Sequence, residues 1–514
     1  MSEISSSQPE FSDFYLPFGG KLDPENRWIK LANLVPWDVV DAHYRIGDKV
    51  PNADGIGTPA LPSRVAFGAM VIKERLGCTD EETVEQISEN PYLQFFLGYT
   101  EMLREPAFDP SMMVHFRKRF KQGDYDEINL ALINGSAMKD ESRSCKNDSS
   151  DDDDDEGSDD NPPTHSGKLL IDATAAPADI TYPTDLKLLN DAREKSEVII
   201  DVLHEPFIGI LKKPRTYRKI ARREYLEITK LKKVPKSKRR AAIRRQLGFL
   251  KRNLDYIDRY LDEHGANLMM LTKYQCQCLM VAHEIYRQQM EMWKNKTNRI
   301  DDRIVSLSQP WVRPIVRGKQ AAKTEFGAKI SISVLADGYV CLDRLEWNAY
   351  NEGSDLIAQA ESYKEKLGYW PDSIHADKIY VNRTNRAWCK ERGIRLSGPP
   401  LGRPKKVSKS NKEELKAERA QRKQDGRDRN PVEGKIGNGK RKGTLNRIMA
   451  KLQETSVSVI NIAIFVLNLD KKLAELLFCL INQVFEALES MIYNPVEISG
   501  YPDRKTKDRY RLLI

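Results

Sequence analysis

A run of Ser and Asp between residues 139 and 161 limits the folds open to this chain more than any other feature. Residues 139–160 contain eleven Asp and Glu against three Lys and Arg, and Pro162-Pro163 follows. Such a segment cannot bury enough apolar surface to offset the entropy lost on ordering. We therefore expect an acidic, flexible linker at 139–163 between separately folded parts. An acidic segment could also imitate nucleic acid and restrain a basic binding surface.

The charge outside this linker is strongly positive. The chain of 514 residues carries a formal net charge of +8, and the part outside residues 139–160 carries +16. This excess suits a polyanionic partner, either nucleic acid or an anionic membrane surface. Membrane insertion is not expected, because the longest apolar stretches, near 460–469, are too short and contain Asn. The N-terminus shows no signal-peptide pattern, so we expect a cytoplasmic protein.

The cysteines point to no metal or disulfide chemistry. Seven Cys are scattered along the chain without a CxxC pair, which argues against a disulfide framework and a zinc site. Cys276, Cys278 and His283 make a weak metal-binding case, and helix positions explain them more simply.

The segment before the linker has a helical pattern. We expect a flexible lead at 1–25 and an all-α domain for DNA binding or dimerisation at 26–138. An apolar-periodic helix begins at Ser63 and ends near Gly77, and a capping box at Thr79 begins the next one. A third helix ends in a basic segment at 115–119. This could be a helix-turn-helix DNA reader, although three-helix packings are common.

Strand patterns appear after the linker. Residues 168–174 predict a strand that ends by presenting Asp172, and residues 373–377 predict a second strand that ends in Asp377. Between them, Asp337-Gly338 predicts a hairpin, and 304–307 has strand character. We expect an α/β catalytic domain at 164–470, with a helical insertion at 186–300 and a C-terminal helix and tail at 471–514.

The insertion is the most basic part of the chain. Residues 212–259 contain nineteen Lys and Arg but only four Asp and Glu, with helical spacing of the apolar residues. A run of mixed charge is usually a solvated helix face, but this imbalance of sign favours phosphate binding. The candidate DNA-binding residues are Arg239, Arg240, Arg244 and Arg245.

A second candidate site lies in the stretch RDRNPVEG at 427–434. It contains Glu433 among many cations, which predicts either a simple salt-bridged carboxylate or a metal ligand. A third interpretation makes Asn430 a helix N-cap, with Pro431 and Glu433 as the first and third helical residues. Glycines at 434, 437 and 439 argue against a long regular helix after Glu433, because each costs about 1 kcal/mol.

The order of these elements is a strand with Asp, a hairpin, a helix, a strand with Asp and a later helix with Glu. It is expected of an RNase H-like mixed sheet flanked by helices. The sequence resembles the DDE transposases of bacterial insertion sequences, which combine this core with an all-α N-terminal domain. The resemblance covers most of the chain, from residue 28 to about 469. It rests on RDRNPVEG together with LIDAT at 170–174, IHADKIY at 374–380 and GIRLSGPPLGRP at 393–404.

The resemblance implies a site and an activity. Asp172, Asp377 and Glu433 would be the catalytic residues and bind two Mg²⁺ ions, with Mn²⁺ able to substitute, and Arg429 and Lys440 would hold DNA phosphates. The family's third motif has a Tyr where this chain has Gly426, so that role is left unfilled or supplied from elsewhere. The implied protein binds terminal inverted repeats as a homodimer on double-stranded DNA and catalyses cleavage and strand transfer. The alternatives are a non-catalytic DNA-binding repressor and a plain RNase H-like nuclease.

Other residues compete with these assignments. Asp179, Asp185, Asp343 and Asp372 are interpreted as turn or surface residues, and Glu325 and Glu346 are weaker rivals near strands. His375 could tune the site, but an ordinary buried strand histidine explains it as well. The apolar stripe from Leu473 to Leu488 predicts either core or a contact between protomers, and core is preferred.

Overall fold

The computed structural model describes residues 14, 16, 20–44, 60–135, 164–316, 324–398, 402 and 412–493. The predicted acidic linker lies outside the described residues, as do most of the lead and the segment from 494 onward. Residues 399–401, 403 and 404 of the third motif stretch are outside them as well.

The part before the linker is helical, as predicted. The helix at Ser63 ends before Gly77, whose φ of 72° is a left-handed conformation that glycine adopts without strain. The predicted capping box is present, since the Thr79 hydroxyl accepts from the Glu82 amide at 3.1 Å. The helices described here are α1 (Arg27–Leu34), α2 (Trp37–His43), α3 (Ser63–Leu76), α4 (Asp80–Glu89), α5 (Pro91–Phe96), α6 (Met112–Lys118) and α7 (Gln122–Asn134).

A mixed sheet of six strands lies at the centre of the second part. Its strands are β1 (Lys168–Pro177), β2 (Arg313–Val316), β3 (Thr324–Val334), β4 (Val340–Glu346), β5 (Ser373–His375) and β6 (Arg395–Leu396). The order is β2-β3-β1-β5-β6, and β4 also pairs with β3. β1 is antiparallel to β3 and parallel to β5. The hairpin between β3 and β4 turns at Gly338, as predicted.

Four helices between β1 and β2 form the insertion. They are α8 (Asp185–His204), α9 (Arg218–Thr229), α10 (Lys236–Asp262) and α11 (Lys273–Asn295). The apolar faces of α8, α10 and α11 share a core of their own, which includes Leu189, Ile200, Leu250 and Ile285. The strand expected at 304–307 is wrong, because Ile304 and Leu307 pack into this helical core in an irregular segment.

Helices α12 (Leu356–Leu367), α13 (Arg383–Glu391), α14 (Lys412–Arg441) and α15 (Gln453–Tyr493) complete the described fold. The first half of α15 joins the two parts, because its Phe465 packs against Phe67 of α3 with ring centroids 5.1 Å apart. The helix also contacts the sheet, where the Asn468 side chain bonds both backbone groups of Val340.

Beyond Leu473 the expected core stripe is wrong. Leu473 is buried, but Leu477, Leu480, Ile481 and Phe485 are all exposed and belong to none of the described apolar cores. The side chain of Leu488 lies outside the described residues.

The architecture is therefore a mixed sheet with flanking helices, a helical N-terminal part and a helical insertion. It is the predicted fold class and is consistent with a DDE RNase H-like domain. No described helix has the length and apolar character that crossing a membrane requires.

Candidate active site

The two predicted aspartates lie in register on neighbouring parallel strands. β1 and β5 pair Lys168 with Ser373 and Leu170 with His375, a constant separation of 205 residues. Asp172 and Asp377 keep the same separation, so continuing the register places them opposite each other where β5 ends. Because parallel strands lie about 4.8 Å apart, this juxtaposition follows from the sheet alone.

The position of Asp172 differs from the prediction in one respect. It lies in the middle of β1, which continues to Pro177, and not at the strand's end. The strand is longer than its apolar run because β3 pairs with it from Leu170 to Pro177. Asp377 does follow the end of β5, and its carboxylate accepts from the Lys378 amide at 2.7 Å.

Helix α14 crosses the same face of β1 and brings Glu433 to the aspartates. Alternation along the strand puts Lys168, Leu170 and Asp172 on one face. Lys168 bonds Asp428 of α14 at 2.7 Å, and fully buried Val432 packs in the same apolar cluster as Leu170. These two contacts hold the helix beside β1, close enough for the charge of Arg429 to act on Asp172.

The N-cap interpretation of this stretch is wrong. Asn430, Pro431 and Glu433 all lie inside α14, which runs without interruption from Lys412 to Arg441. The expectation that the glycines would prevent a regular helix is wrong too. Packing compensates for the weak helix propensity, since buried Val432 anchors the segment and a Cβ on Gly439 would lie 2.7 Å from Leu445.

Arg429 links the carboxylates. Its guanidinium lies 3.6 Å from the Asp377 carboxylate and forms an ion pair with Glu433, one helical turn further along α14. Asp377 and Glu433 are each more than half exposed, whereas Arg429 is only a quarter exposed. The described chain thus places a cation of its own between two of the three predicted metal ligands.

The electrostatics of Asp172 reflect its burial. Desolvation raises the pKa of its carboxyl, and the nearby charges of Glu352 and Asp377 raise it further. The Ala173 amide, which donates to Asp172 at 2.8 Å, and the charge of Arg429 act in the opposite direction. The position therefore favours an additional cation.

Glu352 is a nearby carboxylate that the sequence analysis missed. It begins a short 3₁₀ turn and pairs with Lys329 at 3.0 Å. This turn packs against the one that follows Asp377, because the Asn385 side chain donates to the carbonyls of both Gly353 and Tyr380. Nothing in the local sequence signals this, since the segment around Glu352 is typical of an ordinary loop.

The rival aspartates have other roles. Asp179 pairs with Arg447 and Lys451, and Asp185 accepts from Gln289 at 3.0 Å. Asp372 is exposed, as expected. Asp343 is not the surface residue that was expected. It is buried in β4 and accepts hydrogen bonds from side chains on β3 and α12, which stabilise a carboxylate inside the fold.

The remaining rivals are also accounted for. Glu346 lies 3.8 Å from Arg344 at the end of β4, and Glu325 lies on β3, away from the β1–β5 edge. His375 is fully buried beside the Ser373 hydroxyl at 3.0 Å, and burial lowers its pKa. The interpretation as an ordinary buried histidine explains this environment.

Among the predicted DNA-binding residues, Arg429 contacts two of the carboxylates, and the others lie further along α14 or on α10. Lys440 is seven residues beyond Glu433 on α14, about 10 Å along the helix. The four insertion arginines all lie on α10. Among them, Arg240 stacks over Trp293 at 4.5 Å and Arg245 lies 3.8 Å from Glu224.

One cation at the basic end of α6 is used inside the fold. Arg117 is buried and pairs with Asp80, with one guanidinium–carboxylate bond at 3.1 Å. Its charge therefore fastens α6 to α4 and does not face solvent.

The donor chemistry at the β1–β5 edge fits a hard divalent cation, which takes carboxylate oxygens. Within the described ranges, however, no three His, Cys, Asp or Glu side chains are grouped closely enough to hold a metal ion. Asp377 follows the end of β5 beside Asp172, and Arg429 stands between Asp377 and Glu433. For the carboxylates to coordinate a shared cation, the Arg429 side chain would have to move.

Comparisons with known proteins agree with this geometry. A transposase domain model matches residues 17–119, and a transposase DDE domain model matches residues 374–470, which include Asp377 and Glu433. An uncharacterized protein, ORF8 in the nfe locus of Rhizobium meliloti, is 28% identical over 167 residues, which are 32% of this chain and 69% of that protein. No solved structure matches the chain. The two matches, in the expected chain order, support a DDE transposase of an insertion sequence.

Proposed function

We propose that this protein binds the terminal inverted repeats of an insertion sequence and catalyses metal-dependent DNA cleavage and strand transfer by in-line phosphodiester attack. One observation carries the proposal: Asp172 and Asp377 share a register at the β1–β5 edge, and Arg429 links Asp377 to Glu433 beside them. Carboxylates on two strands and a helix form a donor set for divalent cations that requires no flexible loop.

Asp172, Asp377 and Glu433 would hold two Mg²⁺ ions, for which Mn²⁺ could substitute. Bound there, the ions would activate the attacking oxygen and stabilise the leaving oxygen of the displacement. The chain's own residues supply the positioning. Asp172 is positioned by the sheet, Asp377 by the turn that directly follows β5, and Glu433 by the Val432 anchor of α14.

Arg429 has two partners in this proposal. Without DNA it neutralises Asp377 and Glu433, and on DNA it turns its guanidinium to a backbone phosphate. Guanidinium groups suit this exchange, because carboxylate and phosphate oxygens accept the same paired N–H donors. Lys440 and the arginines of α10 bind phosphates further from the reacting bond. The protein would act as a homodimer on double-stranded DNA in the cytoplasm, at the nucleoid.

The test compares Asp172→Asn, Asp377→Asn and Glu433→Gln with the wild type on a DNA duplex that carries one end of the element. Each variant should lose Mg²⁺-dependent cleavage while keeping nearly all of its DNA affinity, because a neutral amide is a poor ligand for the cation. Asp372→Asn is the matched control, since it removes an exposed carboxylate away from the site.

Strand joining separates the proposal from its alternatives. The wild type should join a precut end with a free 3′-OH to a target plasmid. Cleavage without joining would indicate a plain RNase H-like nuclease. Specific end binding with neither reaction would indicate a non-catalytic repressor. A Glu433→Gln variant that cleaves normally would remove Glu433 from the site.

A further inference from the structure

The distal half of α15 has an apolar surface that the fold does not use. The exposed fractions are 38% for Leu477, 65% for Phe478, 41% for Leu480, 52% for Ile481 and 61% for Phe485. The ten residues 476–485 contain no Asp, Glu, Lys or Arg. Contiguous exposed apolar surface of this kind marks an interaction site in a folded protein.

The spacing of this surface is that of a helix pair. Leu473, Leu477 and Leu480 follow one another at intervals of four and three residues, and the sequence continues the alternation through Val484, Ala487 and Met491. Alternating intervals of three and four residues are the a and d positions of a coiled-coil heptad. We call this row of a and d residues the seam. A single helix cannot bury it, because burial requires a facing helix.

The fold holds the seam away from the body of the protein. The first half of α15 is clamped in the core by buried Ile462, Phe465 and Leu469, so the direction of the helix is set before the seam begins. Further along, Leu473 is the last of the stripe's described side chains that reaches the core. The exposed half is therefore a rigid extension of a buried helix.

We infer that residues 476–485 of α15 are a self-association surface that pairs with the same helix of a second copy of this chain. The absence of charge excludes DNA as the occupant, since phosphates require cations. In a two-fold symmetric helix pair, the same surface of each copy must be complementary to itself. A row of leucines facing the same row of a second copy meets this requirement. This inference does not depend on the carboxylate site, because no residue of the seam touches it.

The experiment measures the mass of the full chain by light scattering and sedimentation across the micromolar range. Nuclease treatment and high salt prevent bridging by DNA. The test variant is Leu477→Glu/Leu480→Glu, which places two charges on the seam without touching the core. The control is Asn482→Glu, which adds one carboxylate to the same exposed segment off the seam.

We expect the wild type and Asn482→Glu to be dimers. The double variant should be a monomer with unchanged far-ultraviolet circular dichroism, its dimer dissociation constant raised at least about 100-fold by two desolvated carboxylates. Asp172→Asn should remain a dimer, so failure of the proposed catalysis would leave this result intact.

Three results would overturn the inference. One is a monomeric wild type throughout the range, and another is a double variant that still dimerises. The third is loss of the dimer in Asn482→Glu as well, which would show that the seam is not specific. Two further measurements identify another occupant if the wild type is monomeric. Dimerisation after truncation at residue 493 would indicate the chain's own tail, and flotation with anionic vesicles would indicate a lipid surface.

Discussion

Replacing Arg429 with Gln tests whether an internal cation competes with the proposed metal ions. The guanidinium lies 3.6 Å from Asp377 and pairs with Glu433, and both carboxylates are more than half exposed. At that distance two unit charges interact by about 1 kcal/mol in water and about 4–5 kcal/mol at an effective dielectric constant of 20. Since water screens these pairs, the lower figure applies to each of them.

The expected effects on stability and on cation binding have opposite signs. Arg429→Gln should lower the free energy of unfolding by at most about 1 kcal/mol, as surface ion pairs do. It should also tighten divalent-cation binding in the absence of DNA by about tenfold, or roughly 1.4 kcal/mol, because the carboxylates no longer have a cation of their own. Cleavage of DNA should nevertheless fall, because the phosphate contact is lost.

Calorimetric titration of the DNA-free protein with Mn²⁺ measures the effect on cation binding, and thermal unfolding of the same preparation measures the effect on stability. Arg427→Gln is the control, since it removes the same charge from an exposed position on the same helix. If Arg429→Gln and the wild type bind Mn²⁺ equally, Arg429 does not occupy the cation's place and the reasoning fails.

Three further predictions follow from the geometry. Asp179→Asn should destabilise the protein by about 0.5–1 kcal/mol at neutral pH without affecting cleavage. Hydrogen bonds from Lys451 and Arg447 lower the Asp179 pKa, so this contribution is present above pH 4 and the two unfolding curves should converge as the pH falls below that value. Gly439→Ala should lower the melting temperature, because its Cβ would lie 2.7 Å from buried Leu445. Gly437→Ala has open space around its Cβ and should raise the stability by up to about 1 kcal/mol. Equal effects of the two substitutions would refute the packing argument. The third prediction concerns the α10 arginines Arg239, Arg240, Arg244 and Arg245. Substituting them with Ala should flatten the slope of log DNA affinity against log salt concentration by about 0.9 per lost phosphate contact. An unchanged slope would show that this helix face is only solvated.

Local signals in the sequence were sufficient for much of the fold. The capping box at Thr79, the hairpin at Gly338 and the two strands carrying Asp172 and Asp377 are all present. Each of these depends on residues close together in the chain, so short-range patterns carry the information. The predicted domain boundaries remain predictions, and α15 continues without a break through the boundary placed at 470.

The errors arose where distant contacts override local preference. Three glycines and Pro431 argue against a helix, yet α14 continues through them because Val432 packs in the core of the sheet and Gly439 lies against Leu445 and Leu467. The strand expected at 304–307 failed for the converse reason, since its apolar residues found a helical core and not a neighbouring strand.

The sequence by itself determined which carboxylates are candidates, through their order along strands and a later helix and through resemblance to a known family. Only the tertiary structure decided how these carboxylates are arranged in space. The parallel register of β1 and β5 places Asp172 opposite Asp377, and the packing of α14 across β1 inserts Arg429 beside them. It also revealed Glu352 and left the end of α15 uncovered. The physical reason is that charge interactions and burial depend on distance in space, which residues far apart in the chain acquire only when the fold brings them together.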